Sequence, residues 1–145
     1  MKLDIGTEVS EEEADYLRES LGRFNEPFAG PTNSEQFRLA VRDENGKVTG
    51  GVLASCMWEW LYINVIWVSE HLRGQGYGSY LLQAAEKEGL KRNRNHALLH
   101  TFSFQARSFY ERHGYKLSGE LVDFPKGHSQ FTMCKHLSSS KQEDR

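Results

Sequence analysis

The apolar positions of the first 31 residues predict a helix between a strand and a loop. Residues 10–13, Ser-Glu-Glu-Glu, have the form of a capping box, so a helix should begin there. A short strand is predicted over residues 2–6, and residues 24–31, which contain two prolines, should break the helix into a loop. The apolar residues after the capping box recur at helical spacing: Ala14, Leu17, Leu21 and Phe24.

The middle of the chain has the alternation of a β-hairpin followed by a buried strand. Apolar and polar residues alternate from Phe37 to Val41, Asn45-Gly46 supplies a tight turn, and residues 48–58 return as a second strand. Gly50-Gly51 inside that strand predicts a bulge or a close backbone approach. Residues 61–68 are nearly continuously apolar, which is typical of a central strand, and Asn64 is the polar exception.

The second half alternates helices and strands. The pattern predicts a helix from Gly76 to about Arg92, a strand from His96 to Phe102, a short helix and two final strands. A strand–helix–strand succession implies a right-handed crossover and a parallel pair. The element order is therefore β-α-β-β-β-α-β-α-β-β, an α/β fold with a mixed central sheet of about six to seven strands. Residues 1–137 are expected to form one domain, and residues 138–145 a disordered tail.

Composition excludes several classes of protein. The 145 residues carry 18 Lys plus Arg and 20 Asp plus Glu, and a net charge of −2 argues against a nucleic-acid partner. No apolar run approaches the roughly 20 residues that span a bilayer, and no leader is evident, so the cytoplasm is expected. Two cysteines, Cys56 and Cys134, cannot build a zinc site of four ligands. His96 and His100, four strand residues or about 13 Å apart, cannot share an ion, so no metal is predicted.

Residues 73–78, Arg-Gly-Gln-Gly-Tyr-Gly, carry the strongest indication of a ligand. They lie between a buried strand and a helix, where successive backbone N–H groups and the helix dipole form an anion site. Arg73 would add a fixed positive charge. The alternative is a plain tight turn that uses glycine for steric reasons. The spacing fits neither the dinucleotide motif nor the P-loop.

The same six residues resemble the Q/R-x-x-G-x-G/A signature of the GNAT superfamily of N-acetyltransferases. Residues 106–115, Ala-Arg-Ser-Phe-Tyr-Glu-Arg-His-Gly-Tyr, resemble the later family segment A-x-x-F-Y-x-x-x-G-F/Y. The resemblance implies splayed parallel central strands, acetyl-CoA as cofactor and transfer of its acetyl group to an amine. Ser103 stands where many relatives have asparagine; a serine can still hydrogen-bond the cofactor there, but its side chain has a shorter reach. The residues that would bind acetyl-CoA are Ile66, Trp67, Val68, Arg73, Gly74, Gln75, Gly76, Tyr77, Gly78, Ser79, Ser103 and Phe109.

The resemblance also implies catalytic roles. Tyr110 would be the general acid, because a phenol is protonated at neutral pH and close in acidity to the thiol that leaves. The resemblance does not identify the general base. The candidates are Glu59, just before the buried strand, and Asp123 and His128 in the last loop, each reached through a water chain; no dedicated base is a further option.

The acceptor is expected to be a small cationic amine. Glu26, Glu59 and Asp123 would supply a negative field for it, unless they are ordinary surface charges. The alternative functions are a non-catalytic sensor that binds CoA or acyl-CoA, and an enzyme that acetylates proteins. The acyl group could be larger than acetyl, and a homodimer remains open. The residues predicted to contact the acceptor are Asn25, Phe28, Glu59, Tyr62, Asn64 and Phe124.

Overall fold

The computed structural model describes residues 2–138, which fall into two compact units, residues 2–32 and residues 33–138. The first unit contains one helix, α1, over Glu11–Ala29. The predicted capping box is confirmed: Ser10 Oγ accepts the N–H of Glu13 at 3.1 Å, and Glu13 Oε1 accepts the N–H of Ser10 at 3.0 Å. Most of the predicted tail, residues 139–145, lies outside the described residues.

Two predictions for the first unit are wrong. Residues 2–6 form no strand, because no neighbouring strand supplies backbone hydrogen bonds to them. The helix does not break after Phe24 but continues through Pro27 to Ala29. Pro27 lies in the last turn, so its missing N–H and the crowding of its ring against the preceding turn affect only the end of the helix. The helix ends instead at Gly30, whose φ of 73° places it in the left-handed region.

The second unit is built on a six-stranded mixed sheet, which confirms the predicted fold class. The first predicted strand is absent, so the sheet has six strands. They are β1 (Glu35–Arg42), β2 (Val48–Met57), β3 (Trp60–Val68), β4 (His96–Phe102), β5 (Lys116–Val122) and β6 (Ser129–His136). The spatial order of the strands is β1-β2-β3-β4-β6-β5, and only β3 and β4 run parallel. The helices of this unit are a 3₁₀ turn (Glu70–Leu72), α2 (Tyr77–Lys91) and α3 (Arg107–Arg112).

Helix α2 makes the crossover between the two parallel strands and covers one face of the sheet. Its buried face includes Leu81, Leu82 and Ala85. Gly89 lets the helix approach β3 closely, since a Cβ there would lie 3.0 Å from Leu61 Cδ2. Leu61 is completely buried, so this contact fixes the height of the helix above the sheet.

The central parallel strands separate after four paired residues. The ladder between β3 and β4 joins residues 60–63 to residues 96–99 and stops there. On the other edge of β3, Leu53 of β2 pairs with Val65 and Ala54 pairs with Ile63, so Asn64 is the extra residue of a bulge. A bulge bends its strand. The polar residue that stood out in an apolar strand therefore marks the point where β3 turns away from β4.

The predicted close approach at Gly50-Gly51 is confirmed. A Cβ on Gly50 would lie 3.0 Å from the carbonyl oxygen of Trp67 in β3, and one on Gly51 would collide with the carbonyl oxygen of Leu39 in β1. The two glycines thus let β2 sit tightly between its neighbours.

The buried carboxylate of Glu86 joins α2 to β6 and to the residue before β5. Tyr115 Oη donates a hydrogen bond of 2.8 Å to Glu86 Oε2, and Lys135 Nζ donates one of 3.0 Å to Glu86 Oε1. Burial and the neighbouring Glu86 carboxylate raise the pKa of Tyr115 far above its ordinary value. Within residues 2–138, no helix is both long and apolar enough to cross a membrane.

Candidate active site

A cavity of about 690 Å³ opens where β3 and β4 separate. Its walls come from the second half of β3, from β4, and from the segments that follow each of these strands. Because the ladder between the strands has ended, one backbone edge of β3 borders the cavity. The lining residues are Tyr62, Ile63, Asn64, Val65, Ile66, Trp67, Val68, Arg73, Leu99, His100, Thr101, Phe102, Gln105, Ala106, Tyr110 and Gln130.

The glycine-rich turn lies beside this cavity at the start of α2. Gly74 and Gly76 have φ angles of 76° and 88°, a region that favours glycine, and nothing lies within 4 Å of a Cβ built on either. Gly76 is the N-cap of α2 and has no side chain that could accept a hydrogen bond. The N–H groups in the first turn of the helix are therefore not capped by the N-cap residue. Arg73 Nε donates to the carbonyl oxygen of Val68 at 3.0 Å, which holds the guanidinium between β3 and the turn.

Two predicted ligand residues near this turn have partners within the protein. Gln75 Nε2 donates to the carbonyl oxygen of His71 at 3.0 Å, so its side chain closes the loop. Ser79 Oγ lies 2.9 Å from His113 Nε2, a hydrogen bond that joins the start of α2 to the end of α3. These two side chains hold the shape of the turn through contacts within the protein.

Tyr110 reaches the cavity from α3. Its ring lies edge-on to Phe109 and to Tyr115, with centroid separations of 5.1 Å and 6.0 Å, and it packs against the buried core. Burial raises the pKa of Tyr110, so the phenol keeps its proton well above neutral pH. Phe109 packs under the turn, with its Cζ 3.4 Å from the position of a Cβ on Gly78.

The loop between β5 and β6 is held by its own contacts. Asp123 Oδ1 accepts the N–H of Gly127 at 3.2 Å. His128 Nδ1 lies 3.3 Å from Ser103 Oγ, which in turn accepts the N–H of Ser129 at 3.0 Å. The predicted residues His128 and Ser103 are therefore neighbours, although neither they nor Asp123 line the cavity.

Aromatic rings cluster where β4 ends beside this loop. The ring of Phe102, a cavity residue, stacks on Phe104 at 5.4 Å and lies 5.9 Å from Phe124. Phe104 also meets the edge of His128 at 4.9 Å. The predicted acceptor residue Phe124 is thus joined to the cavity through Phe102.

Seven of the predicted site residues line the cavity, and the others are not part of its lining. Glu59 lies in the turn before β3, five residues from Asn64, or about 16 Å along an extended strand. Asn25 and Phe28 lie in α1, in the first unit, on a helix instead of the predicted loop, and Phe28 is 82% exposed. The seven that share the cavity are Tyr62, Asn64, Ile66, Trp67, Val68, Arg73 and Tyr110.

The sequence interpretation missed His100, an exposed residue of β4 that lines the cavity. Its Nδ1 lies 3.0 Å from Thr132 Oγ1, and its ring meets Tyr62 edge-on at 5.5 Å. The alternation of β4 could have indicated it, since Leu99 and Thr101 are buried and His100 must face the other way. No group of three metal-ligating side chains is found among residues 2–138.

Comparison with known proteins shows which family of proteins the chain resembles. Residues 6–115 match the acetyltransferase (GNAT) family. A crystal structure of an acetyltransferase from Bacillus cereus superposes with a TM-score of 0.84 at 35% identity, covering 94% of this chain and 98% of that one. An acetyltransferase of Agrobacterium fabrum is 32% identical over 85% of this chain and 90% of its own. The blasticidin-S acetyltransferase of Streptomyces morookaense is 34% identical over 65% of this chain and 70% of its own.

Proposed function

The chain belongs to the acetyltransferase (GNAT) family, and from that premise we propose that it acetylates a primary amine of a small cationic acceptor by direct attack. Dependence on acetyl-CoA comes with the family, and the class of acceptor is the proposal. The observation that carries the proposal is a single cavity bordered by the open edge of β3, by Arg73 and by the Tyr110 phenol.

The residues around the cavity fit acetyl-CoA. The pyrophosphate is assigned to the start of α2, where the first-turn N–H groups, the helix dipole and Arg73 favour an anion. A side chain at Gly74 or Gly76 would enter the space above the turn, so glycine leaves the backbone accessible to phosphate oxygens. The pantetheine arm is assigned to the backbone edge of β3 from Ile66 to Val68, which β4 no longer pairs.

The chemistry of the cofactor and that of the chain are complementary. Acetyl-CoA supplies the acetyl group as a thioester. A backbone N–H of the Ile66–Val68 edge would donate a hydrogen bond to the carbonyl oxygen, a contact typically worth about 3 kcal/mol in the transition state. Tyr110 is the assigned general acid, and its phenol would give its proton to the sulfur as the thiol leaves. The raised pKa of Tyr110 keeps that proton available across the neutral range.

The acceptor is assigned to the aromatic end of the cavity. The rings of Phe102, Phe104 and Phe124 offer faces that attract an ammonium group by cation–π interaction and that pack against apolar portions of an acceptor. Asp123, next to Phe124 in the chain, adds a negative charge at this end. One relative is named for blasticidin S, so that compound is the first acceptor to test.

A release assay tests the proposal. Purified protein and acetyl-CoA are incubated with blasticidin S, polyamines, aminoglycosides, amino acids and peptides, and free thiol and acetylated product are measured. Release of CoA with a small cationic amine supports the proposal. If acetyl-CoA binds and no amine releases CoA, the protein is a CoA-binding sensor. If only peptides are acetylated, it is a protein-modifying enzyme.

A further inference from the structure

His100 is the one imidazole among the described residues that line the cavity, and no carboxylate is among them. An acceptor amine enters as an ammonium ion and must lose a proton before its nitrogen can attack. Histidine is the side chain that most often takes up such a proton. The cavity thus holds a proton donor, Tyr110, and a separate group able to accept one.

The two groups reach the cavity from opposite faces of the sheet. In β4, Leu99 and Thr101 are buried toward α2, so His100 between them projects on the other face. Tyr110 packs against the buried core to which Leu99 belongs. A thioester lying between β3 and β4 would have the phenol on one side and the imidazole on the other. The proton acceptor and the proton donor would thus stand on the two sides of the acyl carbon.

Thr132 orients the imidazole. It pairs with His100 across β4 and β6, and its Oγ1 lies 3.0 Å from His100 Nδ1. When Nδ1–H donates to the hydroxyl, Nε2 carries a lone pair and can accept a proton. We propose that His100 is the general base for the acceptor amine and that Thr132 is a positioning residue that selects this tautomer. The inference rests on the proposed acetyltransfer.

The proton balance of the step is complete. His100 Nε2 takes one proton from the acceptor ammonium, and the nitrogen lone pair forms the C–N bond while the C–S bond breaks. Tyr110 gives its proton to the departing sulfur. The nitrogen loses a second proton as the amide forms, which restores Tyr110, and the imidazolium releases the first proton to solvent. No oxidant or further reactant is needed.

The test compares two amines of similar size. Methylamine is almost wholly protonated at pH 7.5, whereas hydroxylamine is mostly neutral. His100→Gln should lower kcat/KM for methylamine by about 100-fold or more and leave hydroxylamine within a few-fold of wild type. The KM for acetyl-CoA should not change. His136→Gln removes another exposed imidazole of the same sheet, outside the cavity, and should match wild type with both amines.

Two further readouts separate a base from a structural residue. The rate of His100→Gln with methylamine should rise tenfold per pH unit as free amine accumulates, whereas the wild-type rate should level off. Besides His100, the titratable or charged residues of the cavity are Tyr62, Arg73 and Tyr110. Nitrogen-15 NMR should find the proton of the neutral imidazole on Nδ1, and Thr132→Val should redistribute it, whereas Thr132→Ser should not.

The outcomes distinguish this inference from the proposed function. If wild type releases CoA with both amines above the enzyme-free rate and His100→Gln loses neither, the assignment of the base is wrong and the acetyltransfer stands. Equal losses for both amines would make His100 structural and also overturn the assignment. A proton on Nε2 in the wild-type protein would do the same. If wild type releases CoA with no amine, the proposed function and this inference fail together.

Discussion

Gly51 has the least room for a side chain of the glycines in the described residues. An ideal Cβ on Gly51 of β2 would approach the carbonyl oxygen of Leu39 in β1 more closely than the 3.0 Å that real Cβ atoms keep, and it would lie 3.4 Å from the Cα of Ala40. Both neighbours are backbone atoms of a paired strand, so they cannot rotate away. Gly51→Ala must therefore push β1 and β2 apart where they are hydrogen-bonded.

The expected loss combines two opposing effects. Forcing extra volume into a packed site costs about 1–3 kcal/mol. Alanine also restricts the unfolded chain, which returns about 0.4–1 kcal/mol. The net effect of Gly51→Ala should be a free energy of unfolding lower by about 1–2 kcal/mol, or a melting temperature lower by about 3–8 °C for a chain of this size.

Gly119→Ala is the matched control, because Gly119 also lies within a strand, β5, and nothing stands within 4 Å of its Cβ position. At this position alanine only restricts the unfolded chain, so the free energy of unfolding of Gly119→Ala should be higher than that of wild type by about 0.5 kcal/mol. Urea unfolding followed by circular dichroism, with the slope unchanged, measures both variants. Equal stability of the two variants would refute the steric reasoning.

Three further predictions concern the site and its support. Tyr110→Phe should lower kcat by about 10²–10⁴-fold with unchanged acetyl-CoA affinity by calorimetry; since burial raises the pKa of Tyr110, wild type should keep its acid up to at least about pH 10. Gly76→Asp, which places a carboxylate at a φ of 88° beside the start of α2, should weaken CoA binding by about tenfold or more, and wild-type affinity would put the site elsewhere. Tyr115→Phe, which removes a hydrogen bond to the Glu86 carboxylate, should lower the free energy of unfolding by about 1.5–3 kcal/mol at pH 7. Because the pKa of Tyr115 is raised, the advantage of wild type should hold below about pH 10 and decline above it, and denaturant titrations at pH 7 and pH 11 would reveal a failure of either expectation.

The second half of the fold could be predicted almost to the residue. The strand predicted over His96 to Phe102 has those bounds, and α2 begins one residue after the predicted Gly76. In this region the local sequence preferences and the tertiary packing favour the same helices and strands. A glycine in the left-handed region begins the helix, apolar residues at helical spacing cover the sheet, and strand alternation resumes after the helix.

The first 32 residues were predicted less well because local rules compete there. Pro27 predicts an earlier end of the helix, but it lies in the final turn of α1, where the hydrogen bond it removes leaves the preceding turns intact. Gly30 followed by Pro31 was the better indication of the end. The strand predicted over residues 2–6 rested on Leu3 and Ile5 alone, and such a segment forms a strand only when a neighbour supplies its hydrogen bonds.

The general acid could be proposed from sequence, whereas the base could not. Tyr110 lies in a contiguous motif, so its assignment needed no knowledge of the sheet. His100 belongs to no motif, and it matters only because β3 bends at Asn64 and exposes the opposite face of β4 to the cavity. His96 and His100 are four residues apart along one strand, and this spacing alone does not show what each faces across the sheet. His96, which is not part of the cavity lining, stacks on Trp60, whereas His100 lines the cavity and contacts Tyr62 and Thr132. The surroundings of the two histidines differ because the ladder between β3 and β4 includes His96 and ends at Leu99, just before His100.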